Sequence, residues 1–398
     1  MNLLKLFTRE EPIAGIEASD TYLRLALFKI VKIKKKKNDK PGNKEKNNKK
    51  EKPEEKMEII TVSEKNLPDG VIVGGVIKNK ENLIQALKDL IKESKISIKY
   101  AVVSIPADNI YSRFYSFPKT INDEKIKETM KTTVEFQLPV KPSLFYVDWE
   151  KSEYTDSKNV FLAAANKESV DAYIDAFTVA GVRTVAIEFH QMSIARVLNI
   201  SSAAPVMLLT AGKSGILASI VGKNTIYFNR FLPFYFFQKS KDLAEEVKRI
   251  INFYEAEKKK NVAGIFTVGD IDLGKGGDGL LSSVAYASAA EPFAGHSLIK
   301  GNENKWLIAL GAASRGIAPR TDDILVSLMA IGTEEAYENQ KAVAFAEFIT
   351  NAIIGLSVFF VFIFFVGWML MVSLGKNFGD RVIALNAAPA PEGAANME

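Results

Sequence analysis

Two rhythms of apolar and polar residues alternate along most of the chain, and a third pattern replaces them near its end. A period of two marks strands, and a period near 3.6 marks helices. Ile13–Ile30 is apolar and β-rich but broken at Ser19-Asp20, which predicts two strands joined by a hairpin turn. Asn82–Glu93 places Leu83, Ala86, Leu87, Leu90 and Ile91 on one helical face. Tyr100–Ile105 predicts a buried strand stopped by Pro106, and Ile110–Phe117 an alternating strand. Asn122 predicts an N-cap for a helix over Asp123–Gln137, with Pro139 just past its end. A strand over Asn159–Ala165 and a helix over Ser169–Ala180, stopped by Gly181, follow. The second half repeats the order. Val206–Thr210, Ile216–Val221 and Thr225–Leu232 predict strands with short turns between them. A helix over Asp242–Lys258 turns Leu243, Val247, Ile250, Ile251 and Tyr254 inward. Gly264–Val268 is a strand feeding the glycine-rich stretch Gly269–Gly279, and Trp306–Gly316 is a small-residue helix.

The third pattern is the uncharged run Ala352–Leu374. About 20 apolar residues cross a hydrocarbon core as a helix, so this run predicts one transmembrane span. The start, MNLLKLFTREEP, lacks the shape of a signal peptide. A large domain without an export signal predicts a cytoplasmic main body, an inner-membrane location and a short outer tail. Lys341 before the run, against Lys376 and Arg381 after it, leans the other way by the positive-inside rule.

Composition narrows the chemistry. With no Cys, and only His190 and His296 as imidazoles, thiolate sites and multi-histidine metal sites are excluded. His190, beside Glu188, reads as a satisfied structural histidine. The net charge of +5 comes from a local block, Lys32–Lys56, too polar to offset its ordering entropy. It reads as a disordered hairpin insertion. A solvated loop and a contact with anionic lipid both stay open, while the lack of interleaved aromatics speaks against nucleic acid.

Both halves show three strands, then a helix, then a strand, which resembles the duplicated actin-like (RNase H-like) α/β architecture. The stretches GIEASDTYLRLALF at 15–28, NLPDGVIVGGVI at 66–77 and AVVSIPADNIYSRFYSFP at 101–118 carry a narrower resemblance. EFQLPVKPSLFYVDWE at 135–150, AGVRTVAIEFHQMSIARVL at 180–198, IVGKNTIYFNRFLP at 220–233 and WLIALGAASRG at 306–316 continue it. Together they resemble the PilM family of type IV pilus assembly, kin to FtsA and to the cytoplasmic domain of GspL. The resemblance implies an actin-like fold with an inserted small α+β domain, plus one C-terminal transmembrane helix. It assigns 1–106 and 183–205 to lobe 1, 107–182 to the inserted domain and 206–320 to lobe 2. Residues 321–347 become a linker, 348–375 the membrane helix and 376–398 a disordered tail.

The resemblance also implies a nucleotide cleft at Glu17, Ser19, Asp20, Gly212, Lys213, Ser214, Gly269 and Asp270. Here the sequence departs from the family pattern. The first phosphate turn usually reads Asp-x-Gly-Ser but is Glu17-Ala18-Ser19-Asp20, and the second usually opens with Asp but opens with Thr210. Any Cβ in the first turn hinders backbone approach to phosphate, and loss of a carboxylate weakens metal positioning. The expectation is a scaffold without catalytic residues, with binding of ATP and Mg left open. Gly212-Lys213-Ser214 is no P-loop, because Met207 stands where that motif needs glycine. Leu325, Leu328 and Met329 resemble a degenerate form of the docking motif of PilN, the membrane partner, and are expected to fill the PilM groove in cis or to be an ordinary apolar linker. Implied partners are PilN- and PilO-like membrane proteins and a pilus motor ATPase; a homo-oligomer, an active actin-like ATPase and an FtsA-like division anchor stay open.

Overall fold

A computed structural model describes residues 12–33, 54–138, 141–154, 157–198, 204–222, 225–236, 240–269, 271, 297–318, 323–330 and 333–387. Residues 10–337 form one compact unit. Its first half opens with an antiparallel meander of β1 (Ile13–Ala18), β2 (Tyr22–Ile33) and β3 (Glu54–Asn66). The β2–β3 ladder carries through to Ile33 opposite Glu54, so both ends of the expected disordered insertion are strand; residues 34–53 lie outside the described residues. Backbone pairing there needs no buried side chain. A small hairpin, β4 (Ile72–Val73) and β5 (Val76–Ile77), turns through Gly74 and Gly75 at φ +56° and +74°, a geometry glycine adopts without strain. Helix α1 (Lys80–Ser94) begins where the Asn79 side chain accepts from the Asn82 N–H at 3.0 Å, and it buries Leu83, Ala86, Leu87 and Leu90.

β6 (Tyr100–Ile105) then runs parallel to β1. Next come β7 (Ile110–Pro118), α2 (Asp123–Gln137), β8 (Phe145–Tyr154) and β9 (Ser157–Asn166), whose strands make an antiparallel sheet ordered β7-β9-β8. Helix α3 (Lys167–Val179), strand β10 (Arg183–Phe189) and helix α4 (His190–Val197) complete this half. Its main sheet is ordered β10-β6-β1-β2-β3. The period of two explains how β9 serves two cores: Phe161, Ala163 and Ala165 join the main core with Val170, Tyr173 and Phe177 of α3, while Val160 and Leu162 meet Ile126 and Met130 of α2. So α3, expected within the inserted domain, shares the core of the main sheet.

The second half repeats the meander with β11 (Val206–Ala211), β12 (Gly215–Gly222) and β13 (Thr225–Pro233). After α5 (Ser240–Lys258), β14 (Ile265–Val268) lies parallel to β11, as β6 does to β1. Helix α6 (Leu307–Arg315) returns to the first half. Its small residues are required by contact distance. A Cβ on Gly15 of β1 would fall 2.1 Å from the Ala313 nitrogen, and one on Gly311 would fall 2.0 Å from the Ser193 carbonyl oxygen of α4.

Helix α7 (Thr333–Ala387) belongs from Glu338 onward to a second unit. Its stretch Ile349–Ala387 is long and apolar enough to cross a membrane. The expected disordered tail is therefore helical up to Ala387, because no proline interrupts 375–387; residues 388–398 lie outside the described residues.

Candidate functional site

The ends of β1, β6, β11 and β14 converge on a cleft of about 310 Å³. The turn between β1 and β2 is closed on itself. The Ser19 N–H donates to the Tyr22 carbonyl at 3.0 Å, and the Ser19 Oγ accepts from the backbone N–H of Thr21 at 3.3 Å and of Tyr22 at 3.1 Å. Asp20 is engaged as well: Oδ2 accepts from the Gly74 N–H at 2.8 Å and Oδ1 from the Gly75 N–H at 3.2 Å. Across the cleft, the turn between β11 and β12 closes through the Gly212 N–H and the Gly215 carbonyl at 2.8 Å. Lys213 pairs with Asp69 at 3.0 Å, and the Ser214 Oγ donates to Asp108 Oδ1 at 3.0 Å. Gly269 ends β14 at φ +91°, and a Cβ there would meet the Ala211 Cβ at 2.8 Å, so glycine is needed on both counts.

Ser19, Asp20, Gly212, Lys213 and Gly269 thus come together as cleft lining. Ser214 sits beside it through Asp108, and Asp270 lies outside the described residues. Glu17 is fully buried within β1, with both carboxylate oxygens unpartnered by hydrogen bonds and Arg24 at 3.8 Å. Burial pushes its carboxyl up to about 7 against the pull of Arg24. A phosphate cradle needs free backbone N–H groups, and the Ser19 Oγ takes up those of Thr21 and Tyr22 in the β1–β2 turn. No cluster of three or more His, Asp or Glu side chains able to hold a metal occurs among the described residues. The first turn as arranged does not fit a magnesium nucleotide. His190, read as a satisfied residue, is satisfied in part: its ring bonds to backbone groups of Ala18 and Ser104, while its Nε2 has no hydrogen-bond partner and it lines the cleft with Gln191 and Thr210, whose Oε1 and Oγ1 are also unpartnered. Burial pulls the imidazole down to about 4, so it is neutral at physiological pH.

A groove lies between β8, β10 and the end of α6, and the chain's own residues 323–330 lie in it. Val326 and Leu328 are 0% exposed and Met329 6%, whereas Ile324 is 77% exposed. The segment is held mainly by its backbone. The Val326 N–H donates to Glu150 Oε2 at 3.0 Å, the Ser327 N–H to Asp148 Oδ2 at 2.8 Å, and the Leu328 N–H to the Ile187 carbonyl at 2.7 Å. Arg315 donates to the Leu325 carbonyl at 2.8 Å and to the Val326 carbonyl at 2.7 Å. Of the three motif residues, Leu328 and Met329 are buried and Leu325 is half-buried.

The charges beneath the segment form one network. Arg315 pairs with Glu188 and with Asp323, each at 2.8 Å, and Arg196 pairs with Glu188 at 2.8 Å. Burial alone would raise Glu188, but Arg196 and Arg315 outweigh it and hold the carboxyl down at about 2. Burial raises Glu150 and Asp148, opposed by the backbone N–H groups of Val326 and Ser327. None of Asp148, Glu150, Arg196, Asp323 or Arg315 stands out as a site residue from sequence. A signal was present, because Asp148 and Glu150 are two apart on a strand and so share a face.

A profile of the family described as type IV pilus assembly protein PilM matches residues 46–265. Among solved structures, a PilM-PilN type IV pilus biogenesis complex is similar at a TM-score of 0.59 and 16% identity, over 78% of this chain and 100% of that one. The cytoplasmic domain of EpsL, an inner membrane component of the Vibrio cholerae type II secretion system, is similar at a TM-score of 0.38 and 7% identity, over 67% of this chain and 86% of that one. The ethanolamine utilization protein EutJ of Carboxydothermus hydrogenoformans gives 0.38 and 11%, over 77% and 90%. No curated protein matches. The duplicated meander is the actin-like fold, and since the profile spans more than half of the chain, this protein belongs to the PilM family of type IV pilus assembly proteins.

Proposed function

We propose that the chain is a membrane-anchored scaffold of a type IV pilus or related secretion machine, acting by protein contacts and without ATP hydrolysis. The observation that carries this reading is the docked segment 323–330, which ties the actin-like unit to the start of α7 through Glu150, Asp148, Ile187 and Arg315. In this reading the segment occupies in cis the groove that a PilN-type segment fills in trans. A body held by its own linker to a membrane helix passes displacement to the bilayer with no chemistry at all. The occupied Ser19 turn and the engaged Asp20 favour scaffolding over turnover, because phosphoryl transfer needs a fixed metal and charge neutralised at the phosphate.

Crosslinking in cells, followed by membrane solubilisation and mass spectrometry of the captured proteins, tests it. Recovery of a pilus motor ATPase with PilN- or PilO-like membrane proteins supports the reading. Recovery of division proteins without any pilus component overturns it. For the segment itself, Leu325→Asp with Leu328→Asp is expected to destabilise the actin-like unit and to admit an added peptide of sequence 323–330. Unchanged stability together with unchanged peptide binding would sink the cis arrangement.

A further inference from the structure

The cleft at the ends of β1, β6, β11 and β14 has spent its hydrogen-bond donors and kept its acceptors. The Ser19 N–H and hydroxyl both donate to the Tyr22 carbonyl at 3.0 Å. The N–H groups of Thr21 and Tyr22 go to the Ser19 Oγ, those of Gly74 and Gly75 to Asp20, and that of Gly212 to the Gly215 carbonyl. The Ser214 hydroxyl goes to Asp108. Lys213 is the one cation among the described residues lining the cleft, and it is paired with Asp69. What is left over accepts. His190, Gln191 and Thr210 are 7%, 2% and 7% exposed. Backbone groups of Ala18 and Ser104 engage the His190 ring, which is neutral. With Nε2 unpartnered, the proton sits on Nδ1 and Nε2 presents a lone pair. Gln191 Oε1 is a second unpartnered acceptor, and the Thr210 hydroxyl is a third group able to accept. The carboxylates of Asp20 and Asp108 line the same cleft, close enough that Asp20 adds to the burial that raises Asp108. A buried polar atom without a partner costs stability, so three in one cleft point to a ligand.

We propose that this cleft holds a primary alkylammonium group, from a lysine side chain of a partner protein or from a free aliphatic diamine, and not the phosphates of a nucleotide. An ammonium group brings three donors and no acceptor. That matches Nε2 of His190, Oε1 of Gln191 and Oγ1 of Thr210, and the positive charge is complementary to Asp20 and Asp108. A phosphate brings acceptors and negative charge. It would set lone pair against lone pair at His190 and Gln191, and like charge against like at both aspartates. The methylene stem that carries the ammonium group packs on Ala107, Leu217, Val268 and Ile308 of the cleft wall.

Thermal melting of the full-length protein in detergent tests this. The probes are putrescine and Nα-acetyl-lysine amide, set against the Nε-acetylated form of the latter and against magnesium ATP. The amines are expected to raise the melting temperature saturably, and the acetylated probe and magnesium ATP to leave it unchanged. A response to putrescine alone assigns the site to a free diamine; a response to the lysine amide as well assigns it to a partner's side chain. Asp108→Asn and Gln191→Leu should each weaken the apparent affinity for the amine roughly tenfold, whereas Glu124→Gln, at an exposed position of α2, should not. Gln191→Leu should do so without lowering the melting temperature of the free protein, because it removes an unpartnered carbonyl. No response to either amine, an equal response to the acetylated probe, or a response that survives both substitutions overturns the proposal. Saturable binding of magnesium ATP overturns it too, and without turnover would leave the scaffold reading standing, so the two fail separately.

Discussion

Arg315 donates through one guanidinium nitrogen both to Glu188 at 2.8 Å and to the carbonyl oxygen of Val326 at 2.7 Å, so the buried ion pair and the docked segment share a single cation. Both side chains of the pair are 0% exposed. A buried pair gives little net stability, but removing one partner leaves an uncompensated charge in a dry place. Arg315→Met should therefore cost about 3–5 kcal/mol and free residues 325 and 326 from their carbonyl donors. Urea unfolding reads the first effect, and amide exchange at 326–328 reads the second. Unprotected exchange there with little loss of global stability would mean that the pair serves docking alone.

Glu17 gives a prediction that depends on pH. Its folded carboxyl is raised to about 7 from an ordinary value of 4.5, so the unfolded chain loses this proton first as pH rises. Stability contributed by the protonated form is complete below pH 4.5 and is lost as pH climbs through about 7. Glu17→Gln keeps the shape without the charge and should stabilise the protein at pH 8 by roughly 2–3 kcal/mol, with little gain at pH 4.5. Chemical unfolding at the two pH values decides it. An equal change at both would place the cost in packing rather than charge.

The succession of strands and helices along the chain was legible from local signals: the break at Ser19-Asp20, the alternation of 110–117, and the glycine turns around β12 are all written within a few residues. What stayed hidden was the partnering of distant residues. Asp148 and Glu150 look like solvated charges on a strand until residues 326 and 327, far along the chain, bring N–H groups to them. Asp20 was implied as a residue of the nucleotide cleft, and only the fold reveals that Gly74 and Gly75 engage it. The helical continuation past Gly375 was missed for another reason: glycine lowers helix propensity by only about 1 kcal/mol, which a long helix absorbs.

Gly311 makes the tightest contact of α6 and predicts a sharp threshold. A methyl group there would lie 2.0 Å from the Ser193 carbonyl oxygen and 2.5 Å from its carbon, both backbone atoms. Neither can swing aside like a side-chain end, so Gly311→Ala must push α6 off α4. The Gly311 carbonyl also accepts from Arg196 at 2.6 Å, so that push strains the Glu188 pairs too. A loss of about 2–3 kcal/mol follows from overpacking alone, despite the better helix propensity of alanine. Thermal melting of the variant beside Gly355→Ala, where the space is open, separates packing from propensity.

The membrane reading of α7 rests on an apolar stretch exposed all round, with Val361 at 68% and Phe364 at 78%. Such a surface is costly in water and favourable in lipid, and a carboxylate reverses the balance. Asp near the middle of a span costs about 2.5–3.5 kcal/mol, so Val361→Asp with Phe364→Asp should oppose insertion by roughly twice that amount. The two positions lie near the centre of Ala352–Leu374, too deep for a short side chain to reach the interface. Wild-type protein should resist extraction from membranes by alkaline carbonate, while the double variant should pass largely into the soluble fraction with its actin-like unit still folded. Retention of the double variant in the membrane would mean that α7 is not the anchor, and that the lysine-rich stretch at 32–56 or a bound partner holds the protein there.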